Sequence, residues 1–228
     1  MRHLAHEPAR DDAAVPEVIP LGGPHSVNPQ IVGDGAALLS RALRVGFPVA
    51  RGFVVPVTAA GMDVAEVLGG ALREAWAAIR GSVRIAVSAT CPAGGGFGAS
   101  PQFYDGSTWS GLLDGLYDML AHHRLENPAT TRLPWSIVVQ DVPDVRCSAL
   151  VMSGHPTGWG QGASVWSGSP DPDDPRDWLG WTRRRRLRRL AREAAALAGH
   201  PVDLEVVYDV RGSGRIVDFR RYNPVPQA

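Results

Sequence analysis

Asp203, Glu205 and Asp218 are the residues whose types and spacing best suit chemistry in this 228-residue chain. Asp203 and Glu205 alternate through the apolar run Val202–Val210, and Asp218 lies in a second run, Arg215–Arg220, beyond the turn-forming stretch Arg211-Gly212-Ser213-Gly214. Such a pattern reads as a β-hairpin. A turn centred between Gly212 and Ser213 sets Glu205 opposite Arg220 and Val207 opposite Asp218. Glu205 and Asp218 are then diagonal neighbours on one face, about 7–8 Å apart at Cα. Two carboxylates within that reach suit Mg2+, which takes one or two protein carboxylates and fills its shell with water or phosphate oxygens. The competing reading needs no metal, because Arg220 could neutralise both acids.

A second candidate is the glycine loop around Gly94, Gly95, Gly96 and Gly98, whose backbone N–H groups could cradle phosphates. A loop without a ligand has the same composition. Gly158-x-Gly160-x-x-Ala163 has the spacing of a dinucleotide fingerprint, but no helical pattern follows it and that reading falls. Arg183–Arg186, with Arg188 and Arg189, put positive charge at a helix start that is already positive by its dipole. The simplest account is a solvated face near Asp171, Asp173, Asp174 and Asp177. Nucleic acid is not an expected partner, since the net charge is zero and the basic stripe lacks interleaved aromatics. The seven histidines show no metal-ligand spacing, and His122-His123 reads as helix-end capping.

These residues need a scaffold, and a 44% apolar, 20% charged chain of this length can bury one core or two small lobes. Residues 1–17 have no periodicity and read as a flexible lead-in. Ala36, Leu39, Ala42 and Leu43 predict a helix behind the turn Gly33-Asp34-Gly35, ended by Gly46. Further helices are expected over Ala65–Arg80, Ser110–His122 and Thr182–Ala198, the last capped by Thr182. Val83–Val87 reads as a strand. Trp135–Gln140 and Ala149–Ser153 read as paired strands across the turn Asp141–Arg146. Gly158–Asp177, rich in Gly, Ser, Pro, Asp and Trp, reads as a long surface flap. The expected lobes are residues 18–130 and 131–228. Cys91 and Cys147 form no C-x-x-C pair, no apolar run approaches a membrane span, and no signal-peptide core opens the chain, so a cytoplasmic setting is expected.

Several motifs, in order, carry a family resemblance. They are Val32–Val55 with its Gly33-Asp34-Gly35 turn and Gly46-Phe47-Pro48-Val49 strand entry, and Arg84-Ile85-Ala86-Val87-Ser88-Ala89-Thr90. Val138-Val139-Gln140, Ser148–Val151, His155-Pro156-Thr157-Gly158, Gly160-Gln161 and Gly199-His200-Pro201-Val202-Asp203-Leu204-Glu205 follow. Together they resemble the N-terminal nucleotide-binding domain of phosphoenolpyruvate synthase and pyruvate phosphate dikinase, over most of residues 18–224. The resemblance implies an α+β, two-lobed ATP-grasp fold, with ATP and Mg2+ as cofactors. It implies nucleotide contacts from Asp34, Gly35, Ser88 and Gln140, from the Gly94, Gly95 and Gly96 loop, and from Gln161. Metal contacts would come from Glu205, Asp218 and Asp203.

The departures are as informative as the matches. All 23 basic residues are arginine, and Asp34 stands where the family has a phosphate-binding lysine. Ala86 or Val87 stands where the family has a nucleotide-binding arginine. In the family, this domain phosphorylates a histidine on a separate swivelling domain, and a barrel then passes the group to pyruvate. The 228 residues hold no T-S-H-type histidine segment and no room for a barrel. The implied partner is a separate phosphohistidine-domain or phosphoenolpyruvate-utilising protein. The alternative is an inactive pseudoenzyme acting as a binding subunit.

Overall fold

Short apolar runs separated by turn residues build a first, wholly antiparallel sheet from Ile19–Pro20 (β1), Gly52–Val57 (β2), Arg84–Thr90 (β3), Gln102–Asp105 (β4) and Trp135–Val142 (β5). Its order is β1-β2-β5-β3-β4. The computed structural model describes residues 18–57, 69–79, 84–90, 101–126, 135–142, 144–157, 160–168 and 179–222. Because side chains alternate across a strand, Phe53, Val55, Ile85, Val87, Ile137 and Val139 share one face. Gly69–Ile79 (α2) and Trp109–Glu126 (α3) cover that face through Leu72, Leu112 and Leu116. Each such fully buried side chain contributes about 1.5–3 kcal/mol. Val54 and Val138, on the other face, pack into a second core with Pro29–Arg44 (α1).

Asn28 starts α1 by accepting a hydrogen bond from the Gln30 N–H at 3.0 Å, with Pro29 in the first turn. The helix therefore begins upstream of the expected turn, and Gly33-Asp34-Gly35 survives as a break inside it. Gly33 there has φ 78° and ψ 161°, a conformation nearly closed to residues with a Cβ. Replacing Gly33 with alanine is expected to cost about 1–2 kcal/mol in urea unfolding. A neutral result would show that the two helical segments can straighten into one.

The second sheet runs β7-β6-β8-β9, from Val145–Thr157 (β6), Gly160–Gly168 (β7), Val202–Asp209 (β8) and Gly214–Arg221 (β9), all antiparallel. Gly180–Ala198 (α4) lays Leu187, Ala191 and Ala194 over Ala149, Val151, Leu204 and Val206. Gly199, at φ 76°, ends α4 as its N–H bonds to Ala195 O at 2.9 Å. Helix α1 touches β2, β3 and β5 on one side and β9 on the other, which places it between the sheets.

Three expectations are corrected. Trp135–Val142 does not pair with β6: it lies between β2 and β3 in the first sheet, and β6 belongs to the second. Part of the expected flap, Gly160–Gly168, is a strand, held on β6 by pairs such as Val151 with Val165. Thr182 does not cap α4, which already begins at Gly180 with no side-chain cap.

Candidate functional site

The hairpin β8–β9 forms as the sequence predicts, but in a different register. The Asp209 carboxylate accepts from the N–H groups of Arg211 at 2.9 Å and Ser213 at 2.8 Å, and Gly212 takes φ 79°. This turn closes the ladder at Tyr208 with Gly214, and a register shift then leaves Val217 without an opposite residue. Glu205 consequently faces Asp218 directly, and Asp203 faces Arg220. The two carboxylates are direct cross-strand neighbours in place of diagonal ones, which brings them closer.

Asp203, Glu205, Asp218 and Arg220 thus form a two-by-two patch on the face of the sheet opposite α4. Leu150 and Met152 of β6, facing Glu205 and Asp203, continue that face with apolar side chains. Arg220 Nε lies 2.9 Å from Asp218 Oδ2, whose side chain is only 13% exposed. Burial raises all three acids, and Asp218 adds to the effect on its neighbours while Arg220 opposes it. Asp203 is lifted to about 6 and Glu205 to about 7. Asp203 Oδ1 is buried without a hydrogen-bond partner. One guanidinium for three carboxylates leaves the patch short of positive charge, which suits a divalent cation. Among the described residues no three acids converge into a cage for a metal. An ion here would be held by the Glu205–Asp218 pair and otherwise by ligand or water oxygens.

Gln140 sits where the two sheets meet, with no solvent exposure. Its carboxamide Nε2 donates to Ala50 O and to Ile216 O, both at 3.3 Å, and its Oε1 has no partner. Around it Ala50 N donates to Ile216 O at 3.0 Å, and Ile216 N to Pro48 O at 2.8 Å. Ala50, Ala86, Val142, Val207 and Val217 close the joint with apolar contacts. Ala86, 1% exposed, is therefore part of the packing between lobes. Gln140 donates to protein carbonyls in this arrangement, and only its Oε1 is uncommitted.

Ser88 is buried opposite Val138, on the face of the first sheet that α1 packs on, and Asp34 and Gly35 are half-buried within α1. Ser88 belongs to the first sheet and Asp34 and Gly35 to the helix between the sheets, while Glu205 and Asp218 belong to the second sheet. Gln161 is opposite Pro156 in β7, a strand separated from β8 by β6. Gly94, Gly95 and Gly96 lie outside the described residues. The contributors that sequence reasoning missed are Ile216, Ala50, Leu150 and Met152. They act through backbone or apolar groups, whose role the residue type alone does not reveal even where, as with Ala50 and Leu150, a motif contains them.

No family model and no curated protein matches the chain. Among solved structures it is similar to pyruvate carboxylase of Rhizobium etli, with TM-score 0.51 at 13% identity, over 86% of this chain and 16% of that one. Biotin carboxylase of Campylobacter jejuni, in its βγ-ATP complex, gives 0.46 at 15% identity, over 83% and 41% of the two chains. D-alanine-D-alanine ligase of Coxiella burnetii gives 0.45 at 10%, over 81% and 46%. The chain spans less than half the length of each of these proteins. The fold is α+β and ATP-grasp-like, with two lobes. Among the described residues no helix is long and apolar enough to cross a membrane.

Proposed function

We propose that this chain is a divergent ATP-grasp domain, resembling the ATP-binding part of phosphoenolpyruvate synthase, that binds a nucleotide with Mg2+ and passes a phosphoryl group to a histidine domain supplied by another protein. The observation that supports it is the direct opposition of Glu205 and Asp218 on an undercompensated carboxylate face. A divalent cation there would neutralise the acids and accept phosphate oxygens. Arg220 fixes the Asp218 carboxylate through its ion pair.

A second reading, a binding subunit without catalysis, is favoured by two other observations. An aspartate, Asp34, stands where the resemblance implies a phosphate-binding lysine, and Ala86 is packed into the lobe joint. Loss of positive charge around a transferring phosphoryl group costs orders of magnitude in rate.

Thermal unfolding with ATP, with and without Mg2+, tests nucleotide binding. Ligand at about 100 times its Kd should add about 2.7 kcal/mol, and only when Mg2+ is present. An absence of any shift at millimolar nucleotide rejects the first reading and leaves the second only as a subunit that binds a protein partner. Asp34→Lys is expected to strengthen ATP binding. Given binding, transfer of the labelled γ-phosphoryl group to a purified phosphohistidine-domain protein separates the two readings: label on the histidine supports the first, none the second.

A further inference from the structure

We propose that the outward face of α4 is a docking site for an acidic protein segment, a role independent of nucleotide binding. Helical spacing puts Trp181, Arg185, Arg188 and Arg192 in one stripe, with Arg189 beside it. The stripe runs about 16 Å along the helix. Trp181 is 70% exposed, and the Arg185 guanidinium lies over its ring at 5.5 Å. Arg188 donates to Ala163 O at 3.3 Å, and Arg189 pairs with Glu193 at 2.7 Å. Among the described residues Arg185 and Arg192 face no carboxylate.

This arrangement opposes the stability of its own helix. Like charges four residues apart, as in Arg185 with Arg189 and Arg188 with Arg192, are unfavourable, and arginines in the first turn oppose the dipole. An anionic partner would remove both penalties.

The chemistry favours carboxylates on a protein over phosphates on a nucleic acid. A single convex helix offers no groove to track a phosphate backbone. Helix α4 carries seven arginines against one glutamate, yet the whole chain is neutral, so the remaining surface is net acidic. A long polyanion would meet that repulsion once it left the helix, whereas a short acidic segment would not. Guanidinium forks bind carboxylates and phosphates alike in two-point fashion, so the choice falls to the exposed Trp among arginines, the residue types that dominate protein interfaces.

Fluorescence anisotropy at physiological salt tests this with a fluorescein-labelled peptide of four Glu-Leu-Ala-Glu repeats. Its Glu→Gln counterpart and a thymidine oligonucleotide of equal charge serve as comparators. The acidic peptide should bind with micromolar Kd, the Gln peptide should not, and the oligonucleotide should bind more weakly. Arg185→Ala with Arg192→Ala, and separately Trp181→Ala, should each weaken binding about tenfold without lowering Tm, and the double arginine variant should raise it slightly as the like-charge pairs are lost. Tighter oligonucleotide binding, equal binding by the folded variants, or no binding at about 100 µM overturns the proposal. So does binding that appears only when Asp171, Asp173, Asp174 and Asp177 are changed to Asn, because the chain's own acids are then the occupant.

Discussion

Replacing Glu205 with glutamine should stabilise the ligand-free protein at pH 8 by about 3 kcal/mol and change it little at pH 4. Burial lifts the Glu205 carboxyl to about 7 from an ordinary value of 4.5, and Asp218 adds to the effect. The folded chain then holds this proton more tightly than the unfolded chain. Stability is complete below the unfolded value and declines as pH rises through about 7. A carboxamide cannot ionise and escapes the decline, whereas at pH 4 both side chains are neutral. Urea unfolding at pH 4, 6 and 8 measures this. Mg2+ should restore stability to the wild type at pH 8 but have little effect on the Glu205→Gln variant. A wild-type stability that stays flat between pH 5 and 8 would mean the carboxylates are solvated, and the cation site would lose its basis.

Gln140→Glu is expected to destabilise by about 3–5 kcal/mol at pH 8. The amide Nε2 serves two backbone carbonyls at once, and a carboxylate in its place would present negative oxygen to both. The buried group would have to take up a proton, so the deficit should shrink as pH falls. Gln140→Met, which leaves the carbonyls unserved but adds no charge, should cost less, about 1–3 kcal/mol. Equal stability of Gln140→Glu and wild type at pH 8 would show that the joint is open to water.

The contrast between these two sites shows what was legible in the sequence. Helices α1 and α4 announced themselves through Ala36, Leu39 and Ala42 and through Leu187, Ala191 and Ala194, because local periodicity is set by the face each helix buries. Strand partners are set by distant residues. Trp135–Val142 carries a clear strand signal, but nothing in Asp141–Arg146 tells whether the chain turns back or crosses to another sheet. Strand β7 was hidden by its Gly and Ser content, and its outer edge is served from α4, where Arg184 and Arg188 donate to Val165 O and Ala163 O. The acids were identifiable by type and alternation. Their direct opposition depended on the Asp209 turn and the displaced Val217, features worth only a residue or two of register. Gln140 was visible as a polar residue in an apolar strand, whereas its carbonyl partners, Ala50 and Ile216, are contributed by distant segments.

Strand β9 does two things within three residues: Ile216 is bonded to Pro48 and Ala50 of the first lobe, and Asp218 faces Glu205 in the second. The two lobes are therefore not exchangeable parts. A gene fusion or recombination that replaced either half would have to match the other's backbone at Ile216, and a mismatch there would be transmitted directly to the carboxylate. A displacement of one lobe against the other is thus felt two residues from the carboxylate pair, so motion at the joint and charge at the site share one strand.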